Sequence, residues 1–249
     1  MEEARRVAVE ARDRGLVVRN MGAVAFGIHC PKFLPIHRAL DRAFSDLDFV
    51  SYSGQQDKVL NLFTELGYSQ DRRRQYISQI AGRGQRQLLD DLQNNRKVDI
   101  FLDRLEMCFV IDFRKRLELD FPTISLADLL LEKMQIVKLT EKDVKDTVVL
   151  LREHDVGRAG PEVIDSQYIA DLTSKDWGLY YTITTNLGKV SEMIDSFSAL
   201  NDQDREDVRH KISLLREEVE RKDKSMQWKM RARIGTKRKW YRDVSEVPE

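Results

Sequence analysis

Two aspartates lie one residue apart inside the apolar run Phe44-Ser45-Asp46-Leu47-Asp48-Phe49-Val50. This run predicts a β-strand over 46–52, in which alternate side chains point to opposite faces of a sheet. Asp46 and Asp48 then share one face, while Leu47 points the other way, into a core. Carboxylates are costly to bury unless they are paired or bind a metal. The spacing therefore indicates a divalent-cation site at the end of this strand.

A third aspartate has similar neighbours further along the chain. Asp99 is flanked by Val98 and Ile100 in a second apolar run, which predicts a strand over 97–102. If this strand pairs beside the strand at 46–52, Asp99 completes a cluster of three carboxylates on one face.

A glycine follows the first predicted strand, at 16–21. Gly22 and Ala23 begin the stretch 22–27, which we interpret as a turn that opens a helix. Glycine allows an unusual φ or a close approach to a ligand, and the start of a helix offers N–H groups to a phosphate. An ordinary strand-to-helix turn is the alternative. Arg42 is near enough in sequence to the aspartates to neutralise them or a phosphate.

Several other polar residues receive structural roles. His29 and Cys30 are adjacent, which is poor geometry for two ligands of one metal, so we assign both, with His37, to loop and core positions. The stretch 68–82 predicts a turn and an edge strand, and its arginines at 72–74 favour a solvated loop over a nucleotide contact. We expect 85–94 to be a short polar segment.

The remaining elements of the first 156 residues are mostly helical. We predict helices over 3–13 and 55–66, and a strand over 107–113. Ser125 and Thr140 each precede an apolar helical pattern and have an aspartate three residues later, which is an N-terminal capping arrangement. The second of these aspartates, Asp143, therefore has a capping role. Asp146 has none, and it faces the same side of the helix one turn further on.

The pattern changes after the glycines and proline at 157–161. Beyond them, apolar residues recur at helical spacing, which predicts an antiparallel helical hairpin over 176–234. The first arm carries Tyr180, Ile183, Leu187, Val190, Ile194 and Phe197, and the second carries Val208, Ile212, Leu215 and Val219. This seam is a candidate surface for self-association or for a protein partner.

Composition places the chain among globular proteins rich in charge. It is 41% hydrophobic and 34% charged, and no apolar run approaches the ~20 residues that span a bilayer. The charged start of the chain does not resemble a signal peptide, and the two cysteines lack metal or disulfide spacing. We expect a cytoplasmic protein without a membrane contact.

The zero net charge hides an asymmetry between the two ends. Residues 229–249 hold seven basic and three acidic side chains, a net of +4, so residues 1–228 have a net charge of −4. Trp240 and Tyr241 lie among the basic residues of the segment Lys229–Arg242, and Trp228 directly precedes it. Such a mixture suits RNA contact by charge and stacking, and the alternative is a solvated helix end whose tryptophans pack on the body.

The ordered set of Gly22-Ala23, Asp46-Leu47-Asp48 and Asp99 resembles the polymerase-β-like nucleotidyltransferase superfamily. The stretch from Pro122 through Glu132-Lys133 to Lys142-Asp143-Val144-Lys145-Asp146 is similar to its AbiEii-type branch, which includes toxins of toxin–antitoxin systems. The resemblance covers roughly residues 15–155. Ala23 stands where the family has Gly or Ser, so no hydroxyl is available there, and the gap from Gly22 to Asp46 is longer than in the family.

The resemblance implies roles for individual residues. Two Mg²⁺ ions, or Mn²⁺, would be held by Asp46, Asp48 and Asp99, and Asp146 would be a further functional acid. The nucleotide triphosphate would lie against a set of five residues, which are Gly22, Ala23, Arg42, Ser45 and Lys133. The reaction would transfer a nucleoside monophosphate from an NTP to a hydroxyl of RNA, a protein or a small molecule. The alternative is a binding module that holds a nucleotide or a partner without turnover.

Taken together, we expect an α+β protein. The resemblance implies a nucleotidyltransferase-type mixed β-sheet flanked by helices over residues 1–156. A linker at 157–175 and a C-terminal helical hairpin at 176–249, with its basic end, would follow.

Overall fold

The computed structural model describes residues 1–40, 46–80, 86–158, 160 and 162–244 of the 249-residue chain. The α-helices within these ranges are α1 (Glu2–Asp13), α2 (Gly22–His29), α3 (Leu34–Ala39), α4 (Gln56–Glu65), α5 (Arg72–Ile80), α6 (Leu126–Met134), α7 (Glu141–Glu153), α8 (Ser166–Thr173), α9 (Trp177–Met193), α10 (Asp202–Arg221) and α11 (Met226–Ile234). The strands are β1 (Val18–Met21), β2 (Leu47–Ser51), β3 (Ser69–Gln70), β4 (Arg86–Asp91), β5 (Arg96–Leu102), β6 (Arg104–Glu106), β7 (Val110–Asp112), β8 (Asp155–Gly157) and β9 (Val163–Asp165).

Five strands form one mixed sheet in the order β1-β2-β5-β4-β3. β2 and β5 are parallel neighbours at its centre, and the other three pairings are antiparallel. The parallel register sets Asp48 opposite Asp99 and Phe49 opposite Ile100. The expected α+β class, with a mixed sheet flanked by helices, is confirmed.

The two faces of the sheet pack against different helices. Leu47 and Phe49 lie in an apolar cluster with buried residues of α1 and α4, and Phe49 meets the ring of Phe63 edge-on at 5.2 Å. Val50, on the opposite face, belongs to a larger cluster that reaches from α2 through α10. Period-two alternation thus leaves Asp48 on the face that carries the larger cluster.

Local capping signals are confirmed for two helices. Ser125 accepts a hydrogen bond from the N–H of Asp128 at the start of α6. Thr140 and Asp143 form a complete capping box at the start of α7, with both reciprocal bonds present. These bonds satisfy N–H groups that the first helical turn leaves without an intrahelical partner.

Three predictions between residues 68 and 113 are wrong in detail. Only Ser69–Gln70 is an edge strand, because Asp71 caps a helix by accepting the Arg74 N–H at 2.9 Å, and 72–80 is α5. The segment 85–94, predicted to be polar, contains β4, and Leu88 and Leu89 of this strand are buried. The strand predicted over 107–113 is present as the shorter β7, which pairs with β6 in a hairpin.

The segment expected to be a linker, 157–175, contains β9 and α8. β8 and β9 pair in parallel, and Ile169 and Ala170 of α8 are fully buried in the larger apolar cluster. That cluster also contains Leu129 of α6 and Leu187 of α9. Residues on both sides of 157–175 therefore share one core.

The predicted C-terminal hairpin is present as α9 and α10, but it ends earlier than expected. The seam residues of both arms are buried in the larger cluster of the chain itself, apart from the partly buried Tyr180. The second arm ends at Arg221, and the basic segment begins in the separate helix α11. The seam is therefore covered by the chain's own residues and presents no surface for self-association.

Among the described residues, no helix combines the length and the apolar character needed to cross a membrane.

Candidate functional site

The centre of the candidate site is a pair of aspartates on the parallel strands β2 and β5. Asp48 and Asp99 are directly opposite in register, and adjacent strands are about 4.8 Å apart. Asp46 lies one residue before β2 and is exposed. Its negative charge raises the pKa values of both other aspartates. The strand of Asp99 thus pairs beside the 46–52 strand, as predicted.

Burial and crowding of negative charge disfavour ionisation of Asp48. Burial raises the pKa of Asp48 to about 8, and the negative charges of Asp99 and Glu132 act in the same direction. The positive charge of Lys133 opposes the shift. A carboxylate held this way is stabilised by any cation that binds beside it.

Two arginines hold Asp99. The Arg74 guanidinium lies 3.2 Å from Oδ1 of Asp99, and Arg86 lies 3.3 Å from Oδ2. Burial raises the pKa of Asp99, while the two arginines oppose that shift. Arg74 also contacts Asp90 at 3.2 Å. Arg74 of α5 and Arg86 of β4 are therefore aimed at Asp99.

Gly22 is required by its contact with Asp48. It has φ +65°, and a Cβ built on it would lie 2.9 Å from the Asp48 carboxyl carbon and closer still to Oδ2. We predicted from the sequence that N–H groups here would bind a phosphate. In the structure, the N–H of Gly22 donates to Oε2 of Glu132 at 3.0 Å. Ala23 follows in the first turn of α2 and is partly buried.

Lys133 lies in an acidic setting on the side of α6. Its Nζ is 3.3 Å from Asp146, 3.5 Å from Glu132 and 3.7 Å from Asp143. The same ammonium lies 5.4 Å from the centre of the Phe26 ring. These contacts fix the position of Lys133 next to the helix that begins at Gly22.

Asp146 lies behind Lys133. It has no exposed surface, and it contacts Lys133 and also Nε2 of His37 at 3.5 Å. The resemblance implied a functional acid at this position. The geometry makes Asp146 a residue that positions Lys133 and has no surface from which to contact a substrate.

Two of the candidate nucleotide-binding residues, Arg42 and Ser45, lie outside the described residues.

Three side chains of the site were not assigned from the sequence. The first is Glu132, which lies next to Lys133 in α6, a helix that is buried along its whole length. Its charge within a mostly apolar helical pattern is the sequence signal that could have identified it. Arg74 belongs to the triplet interpreted as a solvated loop. Arg86 gave no signal, because its strand was not predicted.

The carboxylates suit a hard cation in chemistry, and their oxygens are spread out. Carboxylate oxygens are the protein ligands that Mg²⁺ and Mn²⁺ prefer. Among the residues that the structure describes, however, only His29, His154 and Glu162 bring three ligand atoms within 4.8 Å of one another. Both oxygens of Asp99 face arginines. A cation shared by Asp46, Asp48 and Asp99 therefore requires these arginines to move, for example onto a phosphate that binds the same cation.

The basic segment packs its tryptophans on the body of the protein. Trp228 contacts the ring of Tyr180 at 5.1 Å, and Nε1 of Trp240 donates to Thr182 Oγ1 at 3.0 Å. Both rings are therefore partly covered by the body of the protein. Six cations of the segment are exposed, and they are Lys229, Arg233, Lys237, Arg238, Lys239 and Arg242.

No protein-family model matches this chain, and no curated protein matches it. What supports a function is therefore the geometry of its own side chains.

Proposed function

We propose that the protein is a metal-dependent nucleotidyltransferase built on the polymerase-β-like fold. The observation that carries the proposal is Asp48 lying directly opposite Asp99 on parallel strands, with Asp46 one residue before the strand. The negative charges of Asp46 and Asp99 disfavour ionisation of Asp48, and a cation bound beside them would relieve this repulsion. An apolar pair would serve a purely structural role better.

The cations around this pair suit a triphosphate. Arg74 and Arg86 contact Asp99 through guanidinium groups, which bind phosphate oxygens as readily as carboxylate oxygens. Lys133 supplies a further positive charge that acts on Asp48. When bound, Mg²⁺ or Mn²⁺ at Asp46, Asp48 and Asp99 would neutralise the triphosphate and make an acceptor hydroxyl more acidic.

Gly22 keeps the start of α2 against Asp48. Because no side chain separates them, the N-terminus of α2 and the carboxylate reach one point. In the proposed nucleotide complex, Glu132 releases the Gly22 N–H, which then donates to a phosphate oxygen. Asp146 and His37 hold Lys133 and its helix in place.

The proposal is tested by label transfer. The full chain is incubated with each NTP labelled at the α-phosphate, with Mg²⁺ or Mn²⁺, and with RNA, protein or small-molecule fractions as separate acceptors. We expect transfer to one fraction, and Asp48→Asn and Asp46→Asn each to lower it by at least about 100-fold, since an electrostatic contact at the reacting centre is lost.

The control for this experiment is Asp13→Asn, because Asp13 is an exposed aspartate, with 62% of its side chain accessible, at the end of α1. Absence of transfer from every NTP, or equal transfer by Asp48→Asn and the parent, would count against the proposal. A toxin role predicts that expression slows growth of the host cell and that Asp48→Asn abolishes this effect.

Two contacts favour the binding module as the second candidate function. Asp99 is held by two arginines, and the Gly22 N–H is taken by Glu132, so both groups already have partners. Calorimetry with NTP and Mg²⁺ separates the two functions. Tight binding without release of pyrophosphate supports the module, whereas release of pyrophosphate supports the transferase.

A further inference from the structure

A second polar cluster lies at the opposite end of α2 from Gly22. It combines His29, the last residue of α2, with His154, which follows α7, and Glu162, which precedes β9. The ligand atoms of these three residues all lie within 4.8 Å of one another. Both histidines are buried, with 8% and 4% of their surfaces exposed, while Glu162 is exposed.

The hydrogen bonds of His154 fix which of its nitrogens carries a proton. Nε2 of His154 lies 3.1 Å from the backbone carbonyl oxygen of His29. A carbonyl oxygen only accepts, so Nε2 carries the hydrogen. In the neutral ring, Nδ1 then has a lone pair, and it faces Oε2 of Glu162 at 3.3 Å. Two acceptors at this distance repel each other unless a cation lies between them.

That cation is a proton or a metal ion. Both rings are buried, and a charged imidazolium is costly to bury. The neutral ring is the form that binds metals.

A second carboxylate extends the cluster. Oδ2 of Asp120 lies 3.4 Å from Nε2 of His29, where the Thr123 hydroxyl also makes a close contact. Asp120 and Glu162 also line a cavity of about 400 Å³. A bound ion would thus be reached from this cavity.

We propose that His29, His154 and Glu162 bind a divalent transition-metal ion such as Zn²⁺. Two imidazole nitrogens with carboxylate oxygens are a typical donor set for this class of ion. The bond from His154 to a backbone carbonyl is the outer-shell contact that orients a ligating histidine. The ion would join α2 and α7 to the segment before β9. This metal site does not depend on the proposed transferase function.

Metal binding by the full chain tests this site. The purified protein is treated with a chelator and titrated with Zn²⁺ against a chromophoric competitor, and then with Co²⁺ followed by its visible absorption. With Mg²⁺ in excess to fill the proposed carboxylate site, we expect one equivalent of Zn²⁺ bound by the parent and by Asp48→Asn, because the carboxylates of the sheet are a separate site. Glu162→Gln is expected to weaken binding by about 10- to 100-fold, and His154→Gln to abolish it.

Two variants control for general effects of the substitutions. His210→Gln changes an exposed histidine of α10, and Glu141→Gln changes a glutamate whose side chain is 61% exposed. Both should bind like the parent. Because Glu162 is exposed, Glu162→Gln should fold normally, so its result holds even if the buried His154→Gln does not fold.

NMR of the histidine side chains gives a readout besides affinity. On addition of Zn²⁺, the Nδ1 signal of His154 should shift while Nε2 keeps its proton. The proposal is overturned if Glu162→Gln binds Zn²⁺ as tightly as the parent. It is also overturned if no ion binds to the parent, and a His154 ring that titrates as an imidazolium above pH 7 would then make the cluster an ion pair.

Discussion

At the scale of single residues, Gly22 and Asp48 leave no room for a methyl group between them. The glycine has φ +65°, and any Cβ on it would overlap the Asp48 carboxylate. The same residue therefore sets both the backbone turn into α2 and the position of the carboxylate. Its sequence neighbours give no sign of this contact, since Asp48 is 26 residues away.

Gly22→Ala should damage both stability and the proposed activity. We expect a loss of about 2–4 kcal/mol of unfolding free energy, from backbone strain together with the clash, and roughly 100-fold slower transfer as Asp48 is displaced. Urea unfolding and label transfer measure these effects.

Gly15→Ala is the matched control, because Gly15 has φ +71° with nothing within 4 Å of its built Cβ. It should show only the strain, about 1–2 kcal/mol. Equal losses for the two variants would mean that Gly22 does not contact Asp48 closely.

Asp48 also predicts a pH dependence of stability. Its pKa is about 8 in the folded protein against 3.8 for an ordinary aspartate. Between these values the unfolded chain loses the proton while the folded chain retains it, so the contribution of Asp48 to stability falls as pH rises from about 4 to about 8. Below pH 4 both states are protonated and the effect disappears.

Asp48→Asn should therefore be more stable than the parent at pH 8, by about 1–3 kcal/mol, and similar to it at pH 4. Mg²⁺ should recover stability at pH 8 in the parent and not in the variant. Urea unfolding at the two pH values measures this, with Asp13→Asn as control. A variant less stable than the parent at pH 8 would contradict the charge crowding at this site.

At the scale of elements, the end of α6 depends on a side chain from α9. The last carbonyls of a helix have no partner within it. Nδ2 of Asn186, which is 1% exposed, donates to the carbonyl oxygens of Met134 at 2.9 Å and Ile136 at 2.8 Å. The C-terminal helices thus hold the helix that carries Glu132 and Lys133.

Asn186→Ala should destabilise the protein by about 2–4 kcal/mol, since two carbonyl groups would be left buried without this donor. Thermal and urea unfolding measure the loss. Thr184→Val on the same helix is the control, because its hydroxyl bonds only within α9, and its effect should stay within about 0.5 kcal/mol. If the two variants lose equal stability, Asn186 does not join the two helices.

At the scale of the whole molecule, the apolar core is continuous, whereas residues 1–228 and 229–249 have net charges of opposite sign. The larger apolar cluster contains residues from Met21 of β1 to Val219 of α10, so helices on either side of 157–175 share one interior. Charge is distributed differently, with −4 over residues 1–228 and +4 over residues 229–249. The exposed cations of the basic segment are therefore the molecule's candidate surface for a polyanion.

Binding of single-stranded RNA should depend steeply on salt if this surface is used. With four to five phosphate contacts, the slope of log affinity against log salt should be about −3 to −4. Filter binding of a labelled RNA from about 50 to about 300 mM salt measures it. Because the tryptophans are packed on the body, stacking should add little.

The double variant Lys237→Gln/Arg238→Gln should reduce that slope by about 1 to 1.5. Lys58→Gln, at an exposed position on α4, should leave it unchanged. Binding that does not change with salt, or no binding at all, would remove RNA as a partner of the basic segment.

The sequence by itself determined those features that depend only on a few neighbouring residues. Alternation over 46–52 and 97–102 predicted β2 and β5, and Ser125 and Thr140 predicted the starts of α6 and α7. Each depends on backbone geometry and hydrogen bonds between residues two to four positions apart. Short polar segments carry no such pattern, so β4 and α5 were missed.

Contacts between distant residues were decided only by the tertiary structure. Asp99 as a candidate partner of Asp48 followed from the sequence, but their register, the arginines on Asp99 and the bond from Glu132 to Gly22 did not. His29 was assigned a structural role because its neighbour Cys30 is poorly placed to share a metal, whereas its partners in the cluster come from residues 154 and 162. The physical reason is that these contacts depend on how whole helices and strands pack, and packing is set by the complete core.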